Sequence, residues 1–187
     1  AQDYITHFGE EISGVILSGS AMQKGIDITV GRCLAFIQCK LFDEDKKAHF
    51  IDKLSFGSYN KKIPNAKHKF AWLSTDDEKV EEYEQDQLCG GIVSIGFYYY
   101  MLKAFKNIYS HNELSKIPRT LPILILSGKE DPVGHYGQRV KKLYELYKNE
   151  GLKAQMKLYP KMRHEILNEK NPTEVYSDIL NWLLTCG

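Results

Sequence analysis

The sequence predicts an α/β fold: a parallel sheet whose strands are split by a long helical insertion. Three observations predict it. Apolar runs at 121–126 and 154–159 are each followed by a short loop and then a stretch of helical period. A third apolar run, 14–19, is reached directly from a helical segment. Between 14–19 and 121–126, residues 22–118 read as helical stretches joined by turns and carry no convincing strand. Strand, helix, strand, helix with short connections implies parallel strands covered on both faces.

Taken in order, residues 1–11 read as the end of a helix. Tyr4, Ile5 and Phe8 share a face, and Gly9 stops it. Residues 14–19 form a short strand closing in a small-residue turn. A helix that delivers the chain straight to such a strand is half of a βαβ unit, so the sequence reads as joining a fold already under way. Residues 22–118 are rich in Lys, Asp and aromatics, with helices expected around 29–39, 45–54, 76–86 and 94–108. Gly57-Ser-Tyr-Asn60 and Ile63-Pro-Asn65 mark turns. Asp76-Asp-Glu78, followed by Glu81-Glu82, reads as a solvated helix start and face. After the strand at 121–126 and a loop at 127–135, a helix over 136–149 places Val140, Leu143, Tyr144 and Tyr147 on one face and stops at Gly151. The strand at 154–159 and the loop at 160–171 lead to a helix over 173–185. Asn171-Pro172-Thr-Glu174 opens it as a cap, and Val175, Tyr176, Ile179, Leu180 and Leu183 form its apolar stripe.

Composition fits a packed globular chain, at 43% hydrophobic and 26% charged residues. A net charge of +1 supplies no global field for nucleic acid or an anionic membrane. No apolar run approaches the ~18 residues of a spanning helix. Cys33, Cys39, Cys89 and Cys186 lack the spacing of a zinc site, and free thiols in a reducing, cytoplasmic compartment are expected.

Chemistry is expected in Gly128-Lys-Glu-Asp131-Pro-Val-Gly134 and Arg163-His164-Glu165. Each follows a predicted strand, and in open parallel sheets reactive groups gather beyond the carboxyl ends of strands. An acid that accepts the imidazole Nδ1–H holds the tautomer and stabilises the imidazolium, so Asp131 and His164 supply two thirds of a Ser-His-Asp arrangement. Pro132 is expected to fix the turn and Gly134 to allow a left-handed backbone. An Asp-Pro turn alone is commonly structural, and a His between Arg and Glu is commonly a solvated loop residue. Their joint placement after successive strands is what points to chemistry. His135 is a weaker rival base. No G-x-S-x-G occurs in the 187 residues. Ser94 in Gly91-Ile-Val-Ser94-Ile-Gly96, Ser18, Ser20 and Cys89 are poor nucleophiles by context.

These segments resemble the α/β-hydrolase superfamily, specifically its monoglyceride-lipase and lysophospholipase-like serine hydrolases of the serine-aminopeptidase-type group. The matching stretches are Gly14-Val-Ile-Leu-Ser-Gly-Ser-Ala21, Phe70-Ala-Trp-Leu-Ser74, Asp86-Gln-Leu-Cys89, 121–134, and Arg163-His-Glu-Ile-Leu-Asn-Glu169. The resemblance implies that 1–21 and 119–187 are the C-terminal part of the hydrolase core, holding its last three strands, and that 22–118 is a helical cap or lid. It carries the triad acid to Asp131 and the histidine to His164. It places the nucleophile elbow and oxyanion hole upstream of Ala1, so the partner expected is the N-terminal portion of the same protein and the piece alone is expected to be inactive. It implies hydrolysis of small carboxylic or mono-acyl lipid esters without metal or organic cofactor. A peptidase, a thioesterase, or a non-catalytic binding protein on the same scaffold are the alternatives.

Gly96-Phe-Tyr-Tyr-Tyr-Met101 is a dense aromatic run in the insertion. Part of it is core of that helix. Phe97 and Tyr98, with Met22 and Trp72, are candidate lining for an acyl chain.

Overall fold

A computed structural model describes residues 1–186. Its sheet has three parallel strands in the order β1 (Val15–Ser18), β2 (Pro122–Gly128), β3 (Lys153–Tyr159). Leu17 pairs with Ile125, and Ile125 with Met156, across the two ladders. β2 lies in the middle and is buried on both faces, which is why its sequence is almost continuously apolar.

The pleat divides that run. Ile123 and Ile125 join Leu17, Ala154 and the helix α7 (Gln138–Asn149) through Val140, Leu143 and Tyr147. Leu124 and Leu126 point the other way, with Tyr159, and meet α8 (Thr173–Leu183) through Val175 and Trp182. The expected stripe of α7 is correct, with Tyr144 at its margin. That of α8 is corrected in part: Val175 is buried and Ile179 partly so, but Tyr176, Leu180 and Leu183 are exposed, and Trp182 joins the buried face. Asn171 makes no side-chain cap there; the turn is closed by Tyr176 N donating to Pro172 O.

The N-terminal helix, α1 (Tyr4–Phe8), runs into a 3₁₀ turn, Gly9–Glu11. Only Ile5 of its three expected apolar residues is buried; Tyr4 and Phe8 are exposed. Gly9 keeps a right-handed backbone, and its missing side chain makes room for Pro118, whose Cδ would stand 2.6 Å from a Cβ. Gly151 stops α7 in the left-handed region, as expected.

The chain between β1 and β2 is helical: α2 (Ile26–Leu41), α3 (His49–Phe56), α4 (Asp77–Gln85), α5 (Ile95–Asn107) and the single turn α6 (His111–Leu114). Asp76 caps α4 by accepting from Glu78 N. The expected helix at 45–54 starts later, because residues 43–46 form a turn and Lys47 bridges to Ser94, with Ala48 N donating to Val93 O and Ile95 N to Lys46 O. Helices α2, α3 and α5 close on a small cluster of Ala35, Ala48, Ile51, Ile95, Tyr98 and Leu102. From Ile108 onward the segment packs into the main core, through Tyr109, Leu114 and Ile117.

Candidate active site

Asp131 and His164 meet beyond the carboxyl ends of β2 and β3. His164 Nδ1 lies 3.0 Å from Asp131 Oδ2. The loops that carry them are sewn together by backbone bonds: Lys129 N donates to Tyr159 O and Glu130 N to Met162 O. Their closeness demands glycine at 128, where a Cβ would stand 2.0 Å from Met162 O and 2.2 Å from Arg163 O. Gly19, at the end of β1, has φ +61°, and a Cβ there would reach to 2.9 Å from His164 Cε1. All three strand ends therefore shape the seat of the imidazole.

The carboxylate of Asp131 is fully buried. Its Oδ1 accepts from Val133 N at 2.8 Å, and Oδ2 accepts from Ser127 Oγ at 3.2 Å as well as from the histidine. A buried ionised carboxylate only accepts, so the proton of the pair sits on His164 Nδ1 and Nε2 is left as the basic nitrogen. The imidazole retains 27% exposure. Among the described residues none hydrogen-bonds Nε2.

The expected role of Gly134 is corrected. It is not left-handed; His135, Tyr136 and Gly137 are, with φ of +48°, +56° and +83°. Gly134 is needed for space, since a Cβ would meet Val140 Cγ2 at 2.9 Å. This left-handed run also delays α7 to Gln138. His135 is largely exposed and makes no hydrogen bond to Asp131; partial burial and the neighbouring Arg139 charge lower its pKa. The negative field of Asp131 reaches other neighbours. Burial, then the Asp131 charge, push Tyr59 up to about 12, and the same two causes raise Tyr136.

Trp72 adjoins the imidazole, with ring centroids 5.4 Å apart. Phe56 stacks on the indole at 5.9 Å, and Tyr59 meets it edge-on at 5.1 Å. Asn60 fixes this stretch, accepting from Trp72 N and donating to the carbonyls of His68 and Lys69. Trp72 also lines a largely apolar cavity of ≈690 Å³, together with Phe56, Phe70, Phe97, Tyr98 and Met101. That volume lies in the ~300–1,000 Å³ range of small-ligand sites. Three of the four candidate lining residues are thus on its wall. Met22 is not; it packs against the main core and its N–H donates to Arg139 O. On the wall Tyr98 Oη donates to Asp52 Oδ1 at 3.1 Å, and burial with the Asp52 charge raises the phenol's pKa.

The weak nucleophile candidates have other roles or settings. Ser94 caps α5, accepting from Phe97 N. Ser18 is the exposed last residue of β1. Burial and Asp86 push the Cys89 thiol up, away from the reactive thiolate. Among the described residues no His, Cys, Asp or Glu cluster is arranged to hold a metal, and no helix is long and apolar enough to cross a membrane.

Sequence reasoning missed Ser127, Arg163 and Glu169. Ser127 ends an apolar run and could have been flagged as a polar residue in a buried strand. The other two lie beside His164, but their partners are remote in sequence: Arg163 Nη1 donates to Ala71 O and Ser74 O, and Glu169 accepts from Thr75 N.

The profile of the Hydrolase_4 family, described as serine aminopeptidase, S33, matches residues 1–171. No curated protein sequence matches the chain. Among solved structures, a highly thermostable carboxyl esterase from Bacillus coagulans, in complex with glycerol, superposes with a TM-score of 0.88 at 24% identity, covering 100% of this chain and 61% of that one. A soluble variant of monoglyceride lipase from Saccharomyces cerevisiae, in complex with a substrate analogue, gives 0.69 at 18% identity over 99% of this chain and 57% of its own. A monoacylglycerol lipase from Paleococcus ferrophilus gives 0.67 at 18%, over 100% and 64%. These likenesses establish the fold, that of the C-terminal part of an α/β-hydrolase, and the chain spans about three fifths of each protein's length.

Proposed function

The chain belongs to the serine aminopeptidase S33 family of α/β-hydrolases, and from that premise we propose that it carries the Asp–His part of a serine hydrolase acting on small carboxylic or mono-acyl lipid esters. The observation that supports this best is the 3.0 Å contact between His164 Nδ1 and a fully buried Asp131, set beside an apolar cavity. Monoacylglycerols and lysophospholipids are the substrate class, since one acyl chain suits an apolar cavity lined by Trp72, whose ring adjoins the histidine.

In this reading a serine outside the chain, upstream of it, attacks the ester carbonyl while His164 Nε2 takes its proton. Asp131 holds the imidazole and stabilises its charge. His164 then returns the proton to the leaving alcohol, and repeats the cycle with water to release the acid. Oxyanion donors come from the same upstream portion. Residues 22–118 act as a cap over the site. No metal or organic cofactor is invoked. The four unbridged cysteines suit a reducing, cytoplasmic setting.

Turnover of p-nitrophenyl esters and monoacylglycerols by the full-length protein tests the reading. Activity abolished by His164→Ala and by Asp131→Asn is expected. Full activity in His164→Ala would overturn it, and preferential cleavage of aminoacyl amides would move it to a peptidase. Ligand binding without turnover would make the protein a binder on this scaffold. The 187-residue piece should not react with a fluorophosphonate; stoichiometric labelling would place the nucleophile inside it.

A further inference from the structure

Two stretches separated by 89 to 94 positions are stitched together beside His164. Arg163 Nη1 donates to Ala71 O and Ser74 O, each at 2.7 Å. Glu165 N donates to Leu73 O at 2.7 Å, His164 N to Trp72 O at 3.4 Å, and Ser74 Oγ to Asn168 O at 2.8 Å. Glu169 completes the seam. Its carboxylate is 4% exposed and, among the described residues, forms no ion pair. Oε1 accepts from Arg163 N at 2.6 Å, and Oε2 accepts from Thr75 N at 3.0 Å and from the Thr75 hydroxyl.

Burying a carboxylate without a cation is costly unless its lone pairs are filled. Here three donors fill them, and all come from the two stretches that meet at the histidine. None of these bonds belongs to the strand ladders, so the sheet does not require them. What they fix is the backbone immediately before and after His164, and with it Trp72, whose ring adjoins the imidazole and lines the cavity.

We propose that Arg163 and Glu169 are positioning residues that lock the histidine loop onto residues 71–75, so that the imidazole keeps its contact with Asp131 while Nε2 faces the reaction. The proposal rests on the reading of His164 as the base, and its first test does not depend on turnover. The low-field proton resonance of His164 Nδ1–H, assigned by its loss in His164→Ala, reports the contact with Asp131 directly. In the full-length protein, Glu169→Gln turns one acceptor oxygen into a donor facing N–H groups, and Arg163→Met removes the Nη1 donor shared by the two carbonyls. Both should broaden or abolish the resonance. With the circular dichroism of the wild type retained, kcat should fall roughly 10–100-fold and KM change less than about twofold, as for a sub-ångström to ångström misplacement of a reacting group. Thr75→Val removes one hydroxyl donor and Thr75→Ser restores it; the valine variant should weaken the resonance and the serine variant recover it. A resonance and kcat like wild type in Glu169→Gln, or equal behaviour of the two Thr75 variants, would overturn the proposal. If the wild-type protein turns over no ester, the functional reading falls, and the resonance still decides whether the seam positions His164.

Discussion

Around the sheet, Ile123, Ile125, Leu126, Val140 and Leu143 are wholly buried, and the two faces close on separate clusters under α7 and α8. In the helical stretch between β1 and β2, α2, α3 and α5 share one six-residue cluster, and Phe36, Ile37, Leu41, Phe50 and Leu54 stay exposed. The acid and the histidine stand on the first region; most of the cavity wall stands on the second. The division has a physical sense. Proton transfer needs two groups held to fractions of an ångström, which close packing supplies. Ligand entry needs a wall that opens at modest cost, and sparse burial supplies that. Residues 71–75 are the joint: they belong in sequence to the loose region and are bonded to the histidine loop of the tight one.

The comparison can be broken most decisively at the histidine. His164→Ala should lower kcat/KM for esters by roughly 10⁴-fold while leaving the unfolding midpoint near wild type, because the ring is partly exposed and its proposed role is chemical. A large loss of stability with little loss of rate per folded molecule would reverse the assignment. Next in size is packing: Leu126→Ala should cost about 3 kcal/mol in urea unfolding, whereas Leu41→Ala, on the exposed side of α2, should stay within ~0.5 kcal/mol. Similar costs at both sites would erase the distinction between the regions.

A smaller effect is expected at the cavity. Phe97 is half exposed on its wall, so Phe97→Ala should change stability by less than about 1 kcal/mol. It should raise KM for long-chain esters several-fold relative to short ones, and equal effects on both would remove Phe97 from the acyl path. The smallest effect is electrostatic and belongs to the sheet side. Burial alone would raise the Asp178 carboxyl, but hydrogen bonds from Lys157 and Tyr159 outweigh it and hold the pKa below the ordinary value. A lowered folded pKa contributes stability that is present above the unfolded value of about 3.9 and disappears as pH falls through the folded one. Asp178→Asn should therefore flatten the acid limb of stability against pH and leave catalysis unchanged; an unaltered limb would show that the pair is screened to nothing.

Much of this was legible from residue order. The apolar run of β2, the face of α7 and the left-handed stop at Gly151 are local patterns. Asp131 and His164 were legible for the same reason, since successive parallel strands bring their carboxyl ends to one edge. The misses have a shared cause. Tyr4, Phe8, Tyr176, Leu180 and Leu183 sit at apolar helical spacing, but periodicity names a face without saying how far a neighbour covers it. Gly134 permits a left-handed turn, but the constraint at that position is the close approach of Val140. Met22, a candidate for lining an acyl chain, packs against the main core.

By itself the sequence determined the order and type of the elements, the α/β class, and the pair of loops that carry an acid and a base. Those follow from bonding and side-chain alternation within a few residues. Only the tertiary structure decided that residues 71–75 bond to the histidine loop, that Glu169 is buried on three donors, and that Trp72 both lines the cavity and adjoins the imidazole. Contacts between stretches some ninety positions apart are chosen by the packing of the whole chain, and no local pattern encodes which distant carbonyl an arginine will find.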